Sequence, residues 1–357
     1  MNSTPLILAI DTSCDDTAAA VTRGTTILSS VVASQTQLHK QYGGVFPTVA
    51  KQAHAENLLP TVQAALKRAQ TTWIDIDAIA ITQGPGLAPA LEVGLRIAKD
   101  LAQRHHKPLI AVNHLEGHLL SVLAQPQPRT TKPLPSPVLA FPILGIIVSG
   151  RNTLFIKVTA LSKYEVLGTT IDDAAGEALD KVGRMLGLGY PAGPVIEEFA
   201  KKGDAKKFDF PLPMTTSHDY NLSFSGLKTF ARNKVEALSA EKTLSQTTIY
   251  DFCASFQFAV CRAITYKLSK LLKNHDFNEI WLGGGVIHNS KFRESVRATV
   301  AAHNLAIKVR APYTKKLCSD NAAMIGVVAF YKWQRGEIVS DTTQIERKPR
   351  WPLDDMK

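Results

Sequence analysis

Two stretches of this chain are written in the same grammar, and that repetition constrains the fold more than any other feature. Leu6 to Ile10 reads as an apolar strand, Asp11 to Asp16 as a polar turn and Thr17 to Thr22 as a returning strand, a β-hairpin with small and acidic residues at its tip. Phe141 to Val148, the turn Ser149-Gly150-Arg151-Asn152 and Thr153 to Val158 repeat the pattern. Each hairpin is followed downstream by a strand, a Gly-rich turn and a helix. In the first half these are Ala78 to Thr82, Gln83-Gly84-Pro85-Gly86 and about Ala88 to Arg104; in the second, Glu279 to Leu282, Gly283-Gly284-Gly285 and about Ser290 to His303. Such self-similarity predicts an internal duplication of one α/β unit.

The halves differ in length. The stretch from Ser149 to Gly284 is much longer than that from Asp11 to Gly84, which implies an insertion in the second half. Helical spacing over Asp172 to Met185 and Thr248 to Leu272 predicts that the insertion is helical. Between the halves, Gln125 to Pro137 holds five prolines and reads as a linker. The expected organisation is a first lobe over 1–124, a linker over 125–137 and a second lobe over 138–320. A C-terminal helix and tail over 321–357 are expected to pack back on the first lobe.

At 357 residues and 45% apolar composition the chain can fill two hydrophobic cores. The apolar run Pro5 to Ile10 is too short for a signal-peptide core, and Pro137 to Val148 is too short and too Pro-broken to span a bilayer, so a cytoplasmic protein without a membrane partner is expected. Cys14, Cys253, Cys261 and Cys318 form no C-x-x-C pair, which fits reduced thiols rather than a disulfide framework or zinc ribbon. A net charge of +10 favours a polyanionic partner, although the basic residues are dispersed.

Glycine turns between a strand and a helix let backbone approach phosphate, and the helix N-terminus adds favourable electrostatics. Small-residue turns arranged pairwise across two similar halves therefore suggest a nucleotide held in an interdomain cleft. A second chemical feature is Asn113-His114-Leu115-Glu116-Gly117-His118, where two imidazoles stand four residues apart. On a helix they share a face and can reach one metal ion. A zinc peptidase would need its glutamate directly after the first histidine. Glu116 instead follows His114 by two residues and points about 200 degrees away from it. Peptide hydrolysis is thereby disfavoured, but spacing alone does not choose between a metal pair and ordinary half-buried helix residues.

Nine ordered motifs give the chain a wider resemblance. They are Asp11-Thr-Ser-Cys-Asp-Asp-Thr17, Tyr42-Gly-Gly-Val-Phe-Pro47, Gly84-Pro-Gly-Leu87, His114-Leu-Glu-Gly-His118, Ile171-Asp-Asp-Ala-Ala-Gly-Glu-Ala-Leu-Asp-Lys181, Ser223-Phe-Ser-Gly-Leu-Lys-Thr229, Gly284-Gly-Val286 with Asn289, Cys318-Ser-Asp-Asn321 and Pro349-Arg-Trp-Pro352. Over nearly its whole length the chain resembles the TsaD (Gcp/YgjD) family of tRNA N6-adenosine threonylcarbamoyltransferases. The resemblance implies an α/β fold of two duplicated actin-like ATPase (ASKHA, RNase H-like) lobes around an interdomain cleft, with a helical insertion in the second lobe. It implies transfer of a threonylcarbamoyl group from threonylcarbamoyl-AMP to N6 of the adenosine 3′ of the anticodon, in tRNAs reading codons that begin with A.

By the same resemblance, His114, His118 and Asp320 bind one divalent metal, Fe(II) or Zn(II). Two imidazoles and a carboxylate suit either ion and leave coordination positions open. The adenylate is expected at Ile147, Val148, Ser149, Gly150, Arg151, Asp180, Gly193, Gly284, Gly285 and Asn289. Asp15, in the hairpin tip, is the candidate for removing a proton from the attacking amine. Plainer roles also suit these residues: Asp15 as a turn acid, Asp180 as an exposed helix acid, Gly193 as a turn after Pro191 and Asn289 as a helix N-cap. Partners implied are tRNA, an inert paralogue (TsaB-like) and a small P-loop ATPase (TsaE-like). An actin-like sugar or carboxylate kinase, or a non-catalytic nucleotide-regulated subunit, are the competing readings.

Five positions depart from the family pattern. The second hairpin usually reads Ser-Gly-Gly-His-Thr but here has Arg151 and Asn152, a change expected to restrict the backbone while Arg151 offers a charge-assisted phosphate contact. Asp11 and Asp16 stand where glutamates are frequent, and Asn113 where a further histidine is common.

Overall fold

The computed structural model describes residues 4–127, 138–241, 244–339 and 341–355. The chain forms two compact units, one of Met1–Leu139 with Ala311–Lys357 and one of Ala140–Arg310.

The first unit is built on strands β1 (Leu6–Asp11), β2 (Asp16–Arg23), β3 (Thr26–Ser34), β4 (Ala78–Gly84), β5 (Leu109–Asn113) and β6 (Gln125–Pro126), in the order β5-β4-β1-β2-β3-β6. Strands β1 and β4 are buried along their whole length and pair in parallel, as continuous apolar runs in the middle of a covered sheet should. Helices α1 (Thr36–Lys40) and α2 (Pro47–Ala69) follow β3, and α3 (Ala88–Arg104) follows β4. Alternation along β1 sends Leu8 and Ile10 into a core with Leu58 and Val62 of α2 and Val93 and Ala98 of α3. The opposite face receives α4 (His114–Leu120) and α10 (Ala322–Gln334), and α10 packs on β1 and β2.

The second unit repeats the plan. Strands β7 (Ile143–Val148), β8 (Thr153–Ala160), β9 (Lys163–Thr169), β10 (Glu279–Gly283) and β11 (Lys308–Arg310) lie in the order β11-β10-β7-β8-β9. Matched strand for strand, this is the order β5-β4-β1-β2-β3, with the same antiparallel meander and the same parallel pair. Duplicated RNase H-like sheets are therefore present. Between β9 and β10 lie α5 (Ala175–Met185), α6 (Gly193–Ala200), α7 (Ser225–Glu241) and the long α8 (Gln246–Asn274), the helical insertion, and α9 (Ser290–Ala302) follows β10. Phe210, Phe252 and Phe256 pack together inside it.

Two boundary expectations need correction. Gln125 and Pro126 do not open a linker but pair in parallel with Thr26 and Ile27 at the sheet edge, where proline's missing N–H costs no ladder bond. Residues 128–137 of the expected linker lie outside the described residues. The second unit ends at Arg310 rather than at 320, because β11 completes its sheet and the chain from Ala311, including Asp320, belongs with the first unit.

Candidate active site

In the first unit the chemistry gathers at one edge. Parallel pairing aligns the C-terminal ends of β1, β4 and β5, so Asp11, Gly84 and Asn113 leave the sheet side by side. Asn113 caps the helix that follows: its Oδ1 accepts from the Leu115 and Glu116 amides, and its Nδ2 donates to the Trp351 carbonyl at 3.0 Å. Every residue of α4 is buried. Helical spacing brings the His114 and His118 rings to 4.6 Å between centroids.

Asp320, just before the Asn321 cap of α10, completes a group. Its Oδ1 lies 3.5 Å from His114 Nε2 and 3.1 Å from His118 Nε2, and the three ligand atoms fall within 4.8 Å of one another. Neither ring nitrogen of His118 makes a hydrogen bond, though the residue is 1% exposed. Buried nitrogens are rarely left so, and Nε2 of His118 faces the same Asp320 oxygen as Nε2 of His114. The donor set and its orphaned atoms fit a divalent cation. Glu116 is buried but stands outside the group, as its helical phase requires.

Behind His114, Asp11 Oδ2 lies 3.4 Å from Nδ1. A carboxylate on this side favours the Nδ1–H tautomer and leaves Nε2 to face a metal. Burial pushes the His114 imidazole down, but the Asp11 and Asp320 carboxylates outweigh it and carry it up to about 10. Burial likewise raises Asp320, and the two histidines more than reverse this, holding it well below the usual carboxylate range. Asp16 goes the other way. Desolvation, with added repulsion from Asp15, Asp320 and Asp11 against a Ser34 hydrogen bond, lifts it to about 7.

Asp15 sits half-buried in the β1–β2 tip, and no neighbour among the described residues takes its carboxylate. The tip itself is firmly held. The Ser13 carbonyl accepts from Leu87 N, the Asp15 carbonyl from Gln35 N, and the Cys14 carbonyl from His54 Nε2.

The second unit carries the expected adenylate residues. Ser149 organises the β7–β8 tip, its Oγ accepting from the Arg151 and Asn152 amides. Gly284 follows β10 with φ +94, and a Cβ there would lie 2.4 Å from the Val148 carbonyl oxygen, so glycine is required where the turn crosses the end of β7. Gly285, Gly193 and Gly150 face open space. Other assignments change. Ile147 and Val148 are wholly buried strand residues, Ile147 paired with Gly283 and Leu154 and Val148 with Thr153. Asp180 is not merely an exposed acid: its Oδ1 accepts from Ala192 N and Gly193 N at the start of α6. Asn289 caps α9 through Oδ1 and donates to Gln257 Oε1.

Residues 26–327 match the family model described as TsaD, tRNA N6-adenosine threonylcarbamoyltransferase. A protein so named from Crocosphaera subtropica (strain ATCC 51142 / BH68) is 45% identical over 340 residues, covering 94% of both chains. One from Geobacter sp. (strain M21) is 42% identical over 350 residues, covering 98% of this chain and 97% of its own. The chain belongs to the tRNA N6-adenosine threonylcarbamoyltransferase family. Among solved structures, T. kodakarensis HypF is similar with TM-score 0.59 at 15% identity, over 95% of this chain and 49% of that one. The activator of the 2-hydroxyisocaproyl-CoA dehydratase from Clostridium difficile gives 0.52 at 14%, over 93% and 97%. These likenesses concern the fold.

At the departure from the threonylcarbamoyltransferase pattern, Arg151 has no positive φ, so its side chain is accepted without backbone strain. Its guanidinium is exposed and has no partner among the described residues. Asn113, where a histidine is common, acts as both helix cap and tether for the tail. Sequence reasoning missed this tether, the Asp11–His114 contact and the His54 anchor. Asp11's place at a strand end was the one available signal.

Proposed function

We propose that this protein transfers a threonylcarbamoyl group from threonylcarbamoyl-AMP to N6 of the adenosine 3′ of the anticodon, in tRNAs reading codons that begin with A, and releases AMP. The observation that carries the reading is the convergence of buried His114 and His118 with half-buried Asp320 within 4.8 Å, in a chain of this family. In the reaction the N6 lone pair attacks the carbamoyl carbon, the bond from that carbon to the phosphate oxygen breaks, and AMP leaves with the electron pair. The amine of adenine is a weak nucleophile and the mixed anhydride an activated donor, so positioning and charge stabilisation are what the protein must supply.

His114, His118 and Asp320 would hold one Fe(II) or Zn(II), whose positive charge would orient the threonyl part of the donor and polarise its carbonyl. Asp11, 3.4 Å behind Nδ1, favours the ligating tautomer of the His114 ring. Asp15 accepts the proton lost from N6, with its backbone pinned and its carboxylate available. In the second unit the Arg151 guanidinium and the Gly284-Gly285 backbone bind the adenylate phosphate. A TsaB-like paralogue and a TsaE-like ATPase are the partners this reading includes.

The test is transfer from purified threonylcarbamoyl-AMP to an anticodon-stem tRNA, with and without the partner proteins, beside a parallel assay with ATP and a panel of sugars. Product on the tRNA alone is expected. Near-normal transfer by Asp15→Asn would remove Asp15 from the chemistry, and full activity of a His114→Ala, His118→Ala double variant would remove the metal.

A further inference from the structure

Beneath the β1–β2 tip lies a set of buried polar side chains that the metal centre does not use. Thr17 on β2, Gln35 before α1, His39 on α1 and His54 on α2 are each 0–1% exposed. Among the described residues their side-chain hydrogen bonds run in series. Phe46 N lies 3.3 Å from His39 Nδ1, His39 Nε2 3.1 Å from Gln35 Oε1, Gln35 Nε2 3.4 Å from Thr17 Oγ1, Thr17 Oγ1 2.8 Å from His54 Nδ1, and His54 Nε2 3.0 Å from the Cys14 carbonyl.

The two ends decide every proton in between. A backbone amide can only donate, so His39 Nδ1 is an acceptor and its Nε2 carries the hydrogen. Gln35 then accepts at Oε1 and donates from Nε2. At the other end a carbonyl can only accept, so His54 Nε2 carries the hydrogen. Burial holds the His54 pKa down, which leaves its Nδ1 to accept from Thr17. All donors therefore point the same way, from Phe46 towards Cys14. Replacing both partners of a buried hydrogen bond by apolar groups can be nearly neutral for stability, whereas a hydrogen-bonded polar series fixes one geometry.

That geometry ends at the residue before Asp15. The Ser13, Cys14 and Asp15 carbonyls each receive a donor from a different element, α3, α2 and the start of α1. We propose that Thr17, Gln35, His39 and His54 are positioning residues, a directional hydrogen-bond chain that holds the Cys14 carbonyl and so aims the Asp15 carboxylate; this rests on the transfer activity proposed above. The chain also links the Cys14 carbonyl, next to Asp15, to the exposed Tyr42–Phe46 ring stack, whose Phe46 amide begins it.

Side-chain geometry supplies the test. A glutamine amide nitrogen can occupy the place of Nε2 and keep the donor to Cys14, whereas asparagine reaches only the place of Nδ1. In the full-length protein with its partners, His54→Gln should transfer within about threefold of the parent, while His54→Asn and His54→Leu should lose on the order of tenfold to a hundredfold in kcat, at unchanged metal content and unchanged KM for tRNA. Parent-like kcat in the asparagine or leucine variants, or a glutamine variant no better than leucine, would overturn the proposal. Imidazole 15N spectra of the unmodified protein give a readout that needs neither activity nor variants. Both rings should be neutral Nε2–H tautomers at neutral pH, and an Nδ1–H or cationic ring at either position would overturn the chain. A parent protein that transfers nothing would sink the proposed function while the tautomers still judge the chain.

Discussion

Asp11 Oδ2 stands 3.4 Å behind His114 Nδ1, on the side of the ring opposite Asp320. Removing its charge while keeping its shape should loosen the metal without removing a ligand. Asp11→Asn is expected to weaken metal binding about 10–100-fold, the usual effect of losing such a supporting carboxylate. Competition with a chromogenic chelator would measure it, and unchanged affinity would show that Asp11 does not orient the ring.

Metal loading should release protons. Without metal, His114 stays protonated to about pH 10, yet a ligating imidazole must be neutral. Affinity should therefore climb with pH between about 6.5 and 10, and titration calorimetry at pH 8 in buffers of different ionisation enthalpy should reveal proton release. The same raised pKa sets a stability trend in chelated protein. Its contribution is complete below 6.5 and is lost as pH rises towards 10.

Asp16 adds a second trend of the same sign at lower pH. Its carboxyl ionises at about 7 in the folded chain and at 3.8 unfolded, so folding retains a proton and stability falls as pH rises from 3.8 through 7. In chelated protein Asp16→Asn should raise the melting midpoint by about 3 °C at pH 8, with less effect at pH 5. A lower midpoint at pH 8 would mean that the carboxylate is compensated.

The C-terminal tail is fastened where β4 ends. Lys348 N donates to the Gln83 carbonyl, Gln83 Nε2 donates to the Glu346 carbonyl, and a Cβ on Gly84 would fall 1.8 Å from the Lys348 carbonyl oxygen. Gly84→Ala should therefore displace the tail, cost about 1–3 kcal/mol and expose residues 346–353 to limited proteolysis. A parent-like digestion pattern would show that the strand end can yield instead.

Arg151 offers a charge at the second hairpin tip. Arg151→Gly should weaken threonylcarbamoyl-AMP binding about tenfold, with most of the difference disappearing at high salt. Equal or tighter binding by the glycine variant would remove Arg151 from phosphate recognition.

Much of this architecture was legible in the linear order. Leu6 to Ile10 and Phe141 to Val148 announce themselves because a strand buried on both faces must be continuously apolar. The third strand of each meander, β3 and β9, was not read because its residues are only partly buried and its apolar and polar residues do not alternate along the whole sequence. The edge pairing of Gln125 with Thr26 was hidden among prolines that suggested a linker.

His114 and His118 are local, four residues apart on one helix, so helical periodicity alone brings their rings together. Asp320 is remote and joins them only because the chain returns through α10 to the first sheet, a placement the family resemblance supplied and local spacing could not. Asp11 behind His114, Trp351 on Asn113 and His54 under Cys14 were left to the tertiary structure. The sequence by itself determined the duplicated strands, the helix phase of the histidines and the glycine at 284. Only the folded chain decided which buried polar atoms face one another, because hydrogen bonds and metal ligation depend on distance in space and are indifferent to separation along the chain.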